Sequence, residues 1–272
     1  MIDTHCHLTD PRLGDQLEVI MKNAKGAGVH GFITIGTDPD DDEAAVELAQ
    51  RFSNVWCAVG VHPNYCGEVT GDVTGDVTGD FGGDALHRIE AMLSNPRVVA
   101  VGECGLDYHY DRSPKDLQRQ FFIKQLELAV RFDKPVVIHC REAVDDTLAI
   151  LADFPEVRCD FHCFTGTIEE ARRITNRGYM LGFTGPVTFK KNDSLRQACM
   201  ETPQDQLLIE TDAPYLSPEP VRNERVNQPA FVSHVARAVA LARGISLEGL
   251  DEMTTRNAER FFGIQVERAA TG

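Results

Sequence analysis

The chain has 272 residues, 42% hydrophobic and 25% charged, the balance of a globular protein long enough to bury one large core or two small ones. That composition excludes disorder, collagen and fibre for the chain as a whole, and its apolar runs fall short of the roughly 18 residues a membrane-spanning helix needs. With 27 Lys and Arg against 42 Asp and Glu the net charge is −15, which argues against coating of long duplex DNA but permits a phosphate substrate held by divalent cations.

In chain order, short β-branched runs alternate with amphipathic stretches. A strand at 2–7 precedes a helix at 12–28, a strand at 31–36 a helix at 40–53, and a strand at 55–61 a helix at 83–94. The strand at 98–102 precedes a helix at 115–132, where Phe121, Phe122, Leu126 and Ala129 recur at three- and four-residue steps. Strands at 135–139, 158–162 and 179–183 precede helices at 143–153, 168–177 and 191–201, and the strand at 207–210 is followed by helices at 229–243 and 247–262. Eight strand–helix units in about 260 residues are the count and length of a (β/α)8 TIM-type barrel. A doubly wound open sheet is the alternative on periodicity alone. No linker marks a second domain, so one barrel is expected over residues 1–263, with a tail at 264–272 that has no strong pattern.

The opening MIDTHCHLTD lacks the basic start and apolar stretch of a signal peptide, so a cytoplasmic location is expected. Eight cysteines without a C-x-x-C pair are expected as small buried hydrophobes in a reducing compartment, with Cys66, in a polar loop, the best candidate for an exposed thiol. Residues 69–80 read Val-Thr-Gly-Asp three times, and with Glu68 and Asp84 the segment 68–84 gathers five acids and no bases until the following helix. A solvated insertion is expected there. A calcium-binding repeat is the sharper reading, although the spacing fits neither an EF-hand nor a nonapeptide roll. The insertion follows the third strand, so in a barrel it rises from the active face, where its charges would repel a phosphodiester.

Polar residues collect at strand ends. In Asp3-Thr4-His5-Cys6-His7, residues two apart share a side, so His5 and His7 project together and suit a divalent metal. Glu103 ends an apolar strand between two glycines, and a carboxylate buried there needs a cation or strong hydrogen bonds. His139 and His162 end the fifth and sixth strands, and the eighth ends in Glu210-Thr211-Asp212. Taken singly, each has a bland reading as a solvated end or a satisfied core side chain. Together they gather on the C-terminal face of a parallel barrel, where catalytic residues collect. His5, His7, Glu103, His139, His162 and Asp212 are too many ligands for one tetrahedral zinc and about right for two divalent ions bridged by a carboxylate.

The stretches IDTHCHL, GVHP at 60–63, VGECGLDY at 101–108, PVVIHCREA at 135–143, HCFTG at 162–166 and IETDAPYL at 209–216 with Arg222-Asn223 resemble the TatD-type metal-dependent deoxyribonucleases, a branch of the amidohydrolase-like barrels. The resemblance runs from about Met1 to Phe262. It implies a (β/α)8 barrel with its active site on the C-terminal face. It also implies hydrolysis of DNA phosphodiesters with divalent metal (Zn, Mg or Mn), usually from 3′ ends, single strands being the expected partner. The family pattern puts one metal on His5, His7 and Asp212 and the other on His139 and His162, with Glu103 bridging. Asp212 then also orients or deprotonates the attacking water, and His62 and Arg222 face the substrate. Arg141, just past the histidine of the fifth strand, reads either as a further contact to a substrate phosphate or as a structural ion pair. No membrane and no obligate protein partner is implied. Asn64 after Pro63 and the acidic insertion depart from the pattern and bear on the natural substrate. The alternative is an amidohydrolase acting on a small molecule or an aminoacyl ester; the lysine that such relatives use as a bridging ligand is not offered by the fourth or fifth strand.

Overall fold

A computed structural model describes residues 1–14, 16–69, 83–110 and 112–267. The strands are β1 (Ile2–Cys6), β2 (Gly31–Ile35), β3 (Val55–Val59), β4 (Val98–Asp107), β5 (Val136–Arg141), β6 (Cys159–Phe161), β7 (Met180–Phe183) and β8 (Leu207–Ile209). The helices are α1 (Pro11–Gly14), α2 (Leu17–Gly26), α3 (Pro39–Arg51), α4 (Cys66–Val69), α5 (Gly83–Met92), α6 (Lys115–Phe132), α7 (Val144–Leu151), α8 (Ile168–Thr175), α9 (Asp193–Glu201), α10 (Val232–Arg243) and α11 (Leu247–Phe262). The strands lie parallel in the order β1 to β8. A parallel bridge between Cys6 and Ala213, with bonds from His7 N to Ala213 O (2.7 Å) and Asp212 N to His5 O (2.9 Å), brings the chain after β8 back onto β1. The result is a (β/α)8 TIM-type barrel, not the open doubly wound sheet. Among the described residues no single helix is long and apolar enough to cross a membrane.

The helical period over 118–131 is packing: Phe121, Phe122, Leu126 and Ala129 of α6 are all buried against the strands. Ile2, Ile33, Val137 and Leu208 form a second apolar cluster with Phe261 and Phe262 of α11. Above these apolar layers the strand ends carry Asp3, His5, Glu103, Asp107, Asp160 and Glu210, each 3% exposed or less. Polar groups at that depth need partners: Asp3 is held by Thr211 and Asp107 by His139, whereas the ring nitrogens of His5 and the carboxylate oxygens of Asp160 have no hydrogen-bond partner.

Two sequence expectations change. The helix expected over 12–28 is interrupted, giving α1 and α2. The fourth strand, expected to stop at Gly102, runs on to Asp107. It does so through a shifted register in which Val101 pairs with Val136 and Cys104 with Ile138, three residues against two. Most of the acidic insertion, residues 70–82, lies outside the described residues, as does the end of the expected tail, 268–272.

Candidate metal centre and active site

Glu103 is aimed by the irregularity in β4. Gly102 and Gly105 on either side have φ of +137° and +134°, and a Cβ on either would run into the β5 backbone, at Val137 O and His139 O respectively. Only glycine tolerates both the backbone angle and the close approach. The bulge turns Glu103 inward and keeps it buried. β1 carries a matching irregularity: Asp3 pairs with Phe32 and Cys6 with Thr34. His5 and His7 nevertheless come together, their ring centroids 5.1 Å apart. His7 Nδ1 donates to Ile35 O at 3.1 Å, which leaves Nε2 facing Asp212.

The carboxylate of Glu103 lies at the centre. Its Oε1 is 2.8 Å from His139 Nδ1, 2.8 Å from His162 Nε2 and 3.5 Å from His62 Nε2; its Oε2 is 3.5 Å from His5 Nε2. Asp212 Oδ1 is 3.4 Å from His7 Nε2 and 3.9 Å from His5 Nε2. The His5 and His162 rings stack at 3.7 Å. Ligand atoms of His5, His7 and Glu103, of His62, Glu103 and His139, and of His5, His162 and Glu210 each lie within 4.8 Å of one another. Both ring nitrogens of His5 are buried without a hydrogen-bond partner. A nitrogen lone pair left over in this way, beside an acidic neighbour, fits a divalent cation, and the His-and-carboxylate donor set suits Zn²⁺, with Mn²⁺ or Mg²⁺ also accommodated.

Burial opposes charge on these groups, and their neighbours decide the outcome. Burial pushes the Glu103 carboxyl up, but His162, His62 and the hydrogen bonds from His139 outweigh it and hold the group well below the usual carboxylate range. Asp212 is likewise pushed up by burial and drawn down by His7, His162 and His5, ending low. Burial drives His62 down to about 3, so its ring is neutral. Its Nδ1 accepts from Asn64 N at 3.0 Å, which places the proton on Nε2, 3.2 Å from His139 Nδ1.

The six residues expected as ligands thus sit in one cluster. His62, expected only to face the substrate, lies inside it. Arg141 and Arg222 are exposed rim residues: the Arg141 guanidinium lies 4.7 Å from the Tyr110 ring centroid and that of Arg222 3.9 Å from the Phe189 centroid. Cys66, expected as an exposed thiol, is 1% exposed. The turn Pro63–Tyr65 carries the chain back inward, so Cys66 opens α4 with Sγ against His62 O (3.6 Å), and burial pushes the thiol up. Cys140 and Cys163 are the partly exposed cysteines.

Two carboxylates that the sequence reading left without a role belong to the site. Asp107 Oδ2 holds His139 Nε2 at 2.9 Å; despite burial, the bonds from His139 and from the Tyr110 and His109 amides bring its carboxyl down to about 2. Glu210 Oε1 accepts from Cys163 N at 2.6 Å and lies 3.5 Å from His162 Nδ1. Period two reaches neither: Gly105, with φ of +134°, breaks the regular strand between Glu103 and Asp107, and Glu210 and Asp212 lie past the end of β8, Asp212 with φ of +56°.

Residues 2–263 match the family model described as TatD related DNase. The chain is 36% identical over 266 residues to an uncharacterized metal-dependent hydrolase, YabD, of Bacillus subtilis, covering 97% of this chain and 99% of that one. It is 35% identical over 275 residues to the 3′-5′ ssDNA/RNA exonuclease TatD of Citrobacter rodentium, covering 99% and 100%. The crystal structure of YJJV, a TatD homolog from Escherichia coli K12, superposes with a TM-score of 0.87 at 27% identity, over 97% of this chain and 98% of that one. The barrel, its histidine-and-carboxylate centre and these whole-length matches agree: the chain belongs to the TatD-related DNase family of metal-dependent hydrolases acting on ester bonds.

Proposed function

We propose that this hydrolase removes nucleotides from the 3′ end of single-stranded DNA, using two divalent cations, one against His5, His7 and Asp212 and one against His139 and His162, with Glu103 between them. The observation that carries this reading is the position of Glu103, whose two oxygens face separate histidine groups, Oε2 toward His5 and Oε1 toward His139, His162 and His62. A pair of divalent ions supplies Lewis-acid charge for the phosphodiester and lowers the pKa of water. Asp212, held ionised by His7, His162 and His5, is the carboxylate placed to orient the attacking water and accept its proton. Neutral His62 offers Nε2–H as a donor to a phosphate oxygen, and Arg141 and Arg222 meet the flanking phosphates from the rim. The name of the Citrobacter relative supports a nucleic-acid substrate.

The test is digestion of 3′-labelled and 5′-labelled single-stranded oligonucleotides after metal removal and single add-back of Mg²⁺, Mn²⁺ or Zn²⁺, beside His139→Ala and Asp212→Asn. Stepwise loss from the 3′ end, restored by one ion and absent in both variants, is expected. Absence of DNA and RNA cleavage with every ion, while two metals bind per chain, would transfer the activity to a small-molecule or aminoacyl ester.

A further inference from the structure

Three loops leaving the C-terminal face share one local plan. His62, Asp107 and Asp212 each lie three residues before a tyrosine, and each tyrosine's backbone N–H returns to that site residue. Tyr65 N donates to His62 O at 2.9 Å, Tyr110 N to Asp107 Oδ1 at 2.9 Å, and Tyr215 N to Asp212 O at 2.8 Å. The turns thereby tie three aromatic rings to the cluster that surrounds Glu103. Tyr65 meets the His62 ring at 5.9 Å, and Tyr215 meets the His7 ring at 5.9 Å. Tyr110 and Tyr215 are 43% and 47% exposed, which leaves ring surface open to a ligand. Each also carries a cation: Arg141 lies 4.7 Å from the Tyr110 centroid and Arg12 4.4 Å from the Tyr215 centroid.

Topology spaces these rings across the mouth. Tyr110 follows β4 and Tyr215 follows β8, four strands apart in an eight-stranded barrel, hence on opposite sides. Tyr65 follows β3, on the Tyr110 side. Aromatic rings paired with arginines along a track are how proteins hold single strands, each base lending a face to stack and each phosphate a charge to meet.

We propose that Tyr110 and Tyr215 are base-stacking platforms on either side of the scissile phosphate, so that the substrate is an unpaired polynucleotide gripped by at least two successive bases. This rests on the phosphodiesterase reading above and names the residues that hold the unpaired strand. A duplex end, whose bases stack on one another, cannot occupy both platforms without fraying. A small phosphodiester occupies neither.

The experiment is a cycle between enzyme and substrate, with the metal-loaded full-length protein. The kcat/KM is measured on dT8 and on dT8 with one abasic residue at the 3′-terminal or the penultimate position, for the wild type and for Tyr110→Leu, Tyr215→Leu and the two Phe variants. Losing a base is expected to cost the wild type about 5- to 100-fold. The same abasic residue costs less than about twofold in the Leu variant of the platform that base uses, and Phe restores the wild-type loss. Equal abasic losses in all five proteins would overturn the proposal. If no protein cleaves dT8, the activity reading has failed instead, and the platforms are judged by fluorescence anisotropy of 5′-labelled phosphorothioate dT8. A Kd raised about 5- to 100-fold by Leu and not by Phe upholds them, and equal Kd values refute them.

Discussion

His139 is held from both ends. Its Nδ1 faces Glu103 and its Nε2 faces Asp107, so one ring nitrogen is committed to an orienting carboxylate and the other is turned to the cluster. Metal-ligating histidines are commonly fixed this way, and loss of the outer partner weakens binding about 10- to 100-fold. Asp107→Asn is therefore expected to lower affinity for one of the two cations by that factor while the other binds as before. Calorimetric titration of the stripped protein separates the two events. A variant that loses thermal stability yet binds both ions with wild-type affinity would reduce Asp107 to a structural role. In the sequence, Glu103 could be read as chemical because a carboxylate between two glycines ends an apolar run. Asp107 could not, because recognising it requires knowing that the strand continues beyond Gly105.

One helix fixes the height of two loops. Gln118 and Gln125 lie two turns apart on α6, on one face, and both are buried. Gln118 accepts from Asp107 N (2.8 Å) and donates to Asp107 O (3.1 Å) and Ser113 O (2.9 Å). Gln125 accepts from Val61 N (2.7 Å) and donates to Val61 O (3.1 Å). Each amide thus replaces a strand neighbour for a residue at or next to the site, Asp107 and the residue before His62. Gln125→Leu leaves a buried N–H and C=O without partners and is expected to destabilise by about 2–4 kcal/mol. Gln118→Leu costs a similar amount and also frees Ser113. Urea unfolding measures both, and a loss under about 1 kcal/mol in either would show that water or another group takes over the bonds. The apolar side of this helix was legible as a 3.6-residue period in Phe121, Phe122, Leu126 and Ala129. The polar grip was not, because a glutamine on an amphipathic helix reads as solvated until the loop it meets is placed. The strand bulges were hidden for a related reason: register is a property of two strands, and period two is written in one.

At the scale of the molecule, charge opposes the proposed substrate. Fifteen net negative charges seen from about 20 Å in water raise the energy of an approaching phosphate by about 3 kcal/mol before screening. With a Debye length of about 30 Å at 0.01 M salt this falls to about 1.6 kcal/mol, and with about 10 Å at 0.1 M to about 0.4 kcal/mol. Relief of about 1.2 kcal/mol is roughly sevenfold for each phosphate within reach of the field. Counterion release works the other way, costing about fivefold per phosphate directly neutralised over the same tenfold change in salt. An exonuclease that grips one or two phosphates while the field acts on several should speed up as salt is added. The expected outcome is a rise of at least about fivefold in kcat/KM on dT12 from 0.01 to 0.1 M salt, the reverse of a basic DNA-binding protein. Deleting residues 69–80 removes three aspartates and brings the net charge from −15 to −12, so the logarithm of that rise should shrink by about a fifth. A larger reduction would place those acids closer to the substrate's path than the molecule's average charge. A kcat/KM that falls with salt in the full-length chain would mean that the arginines at the rim, Arg12, Arg141 and Arg222, outweigh the remote field, and that local charge alone governs the approach.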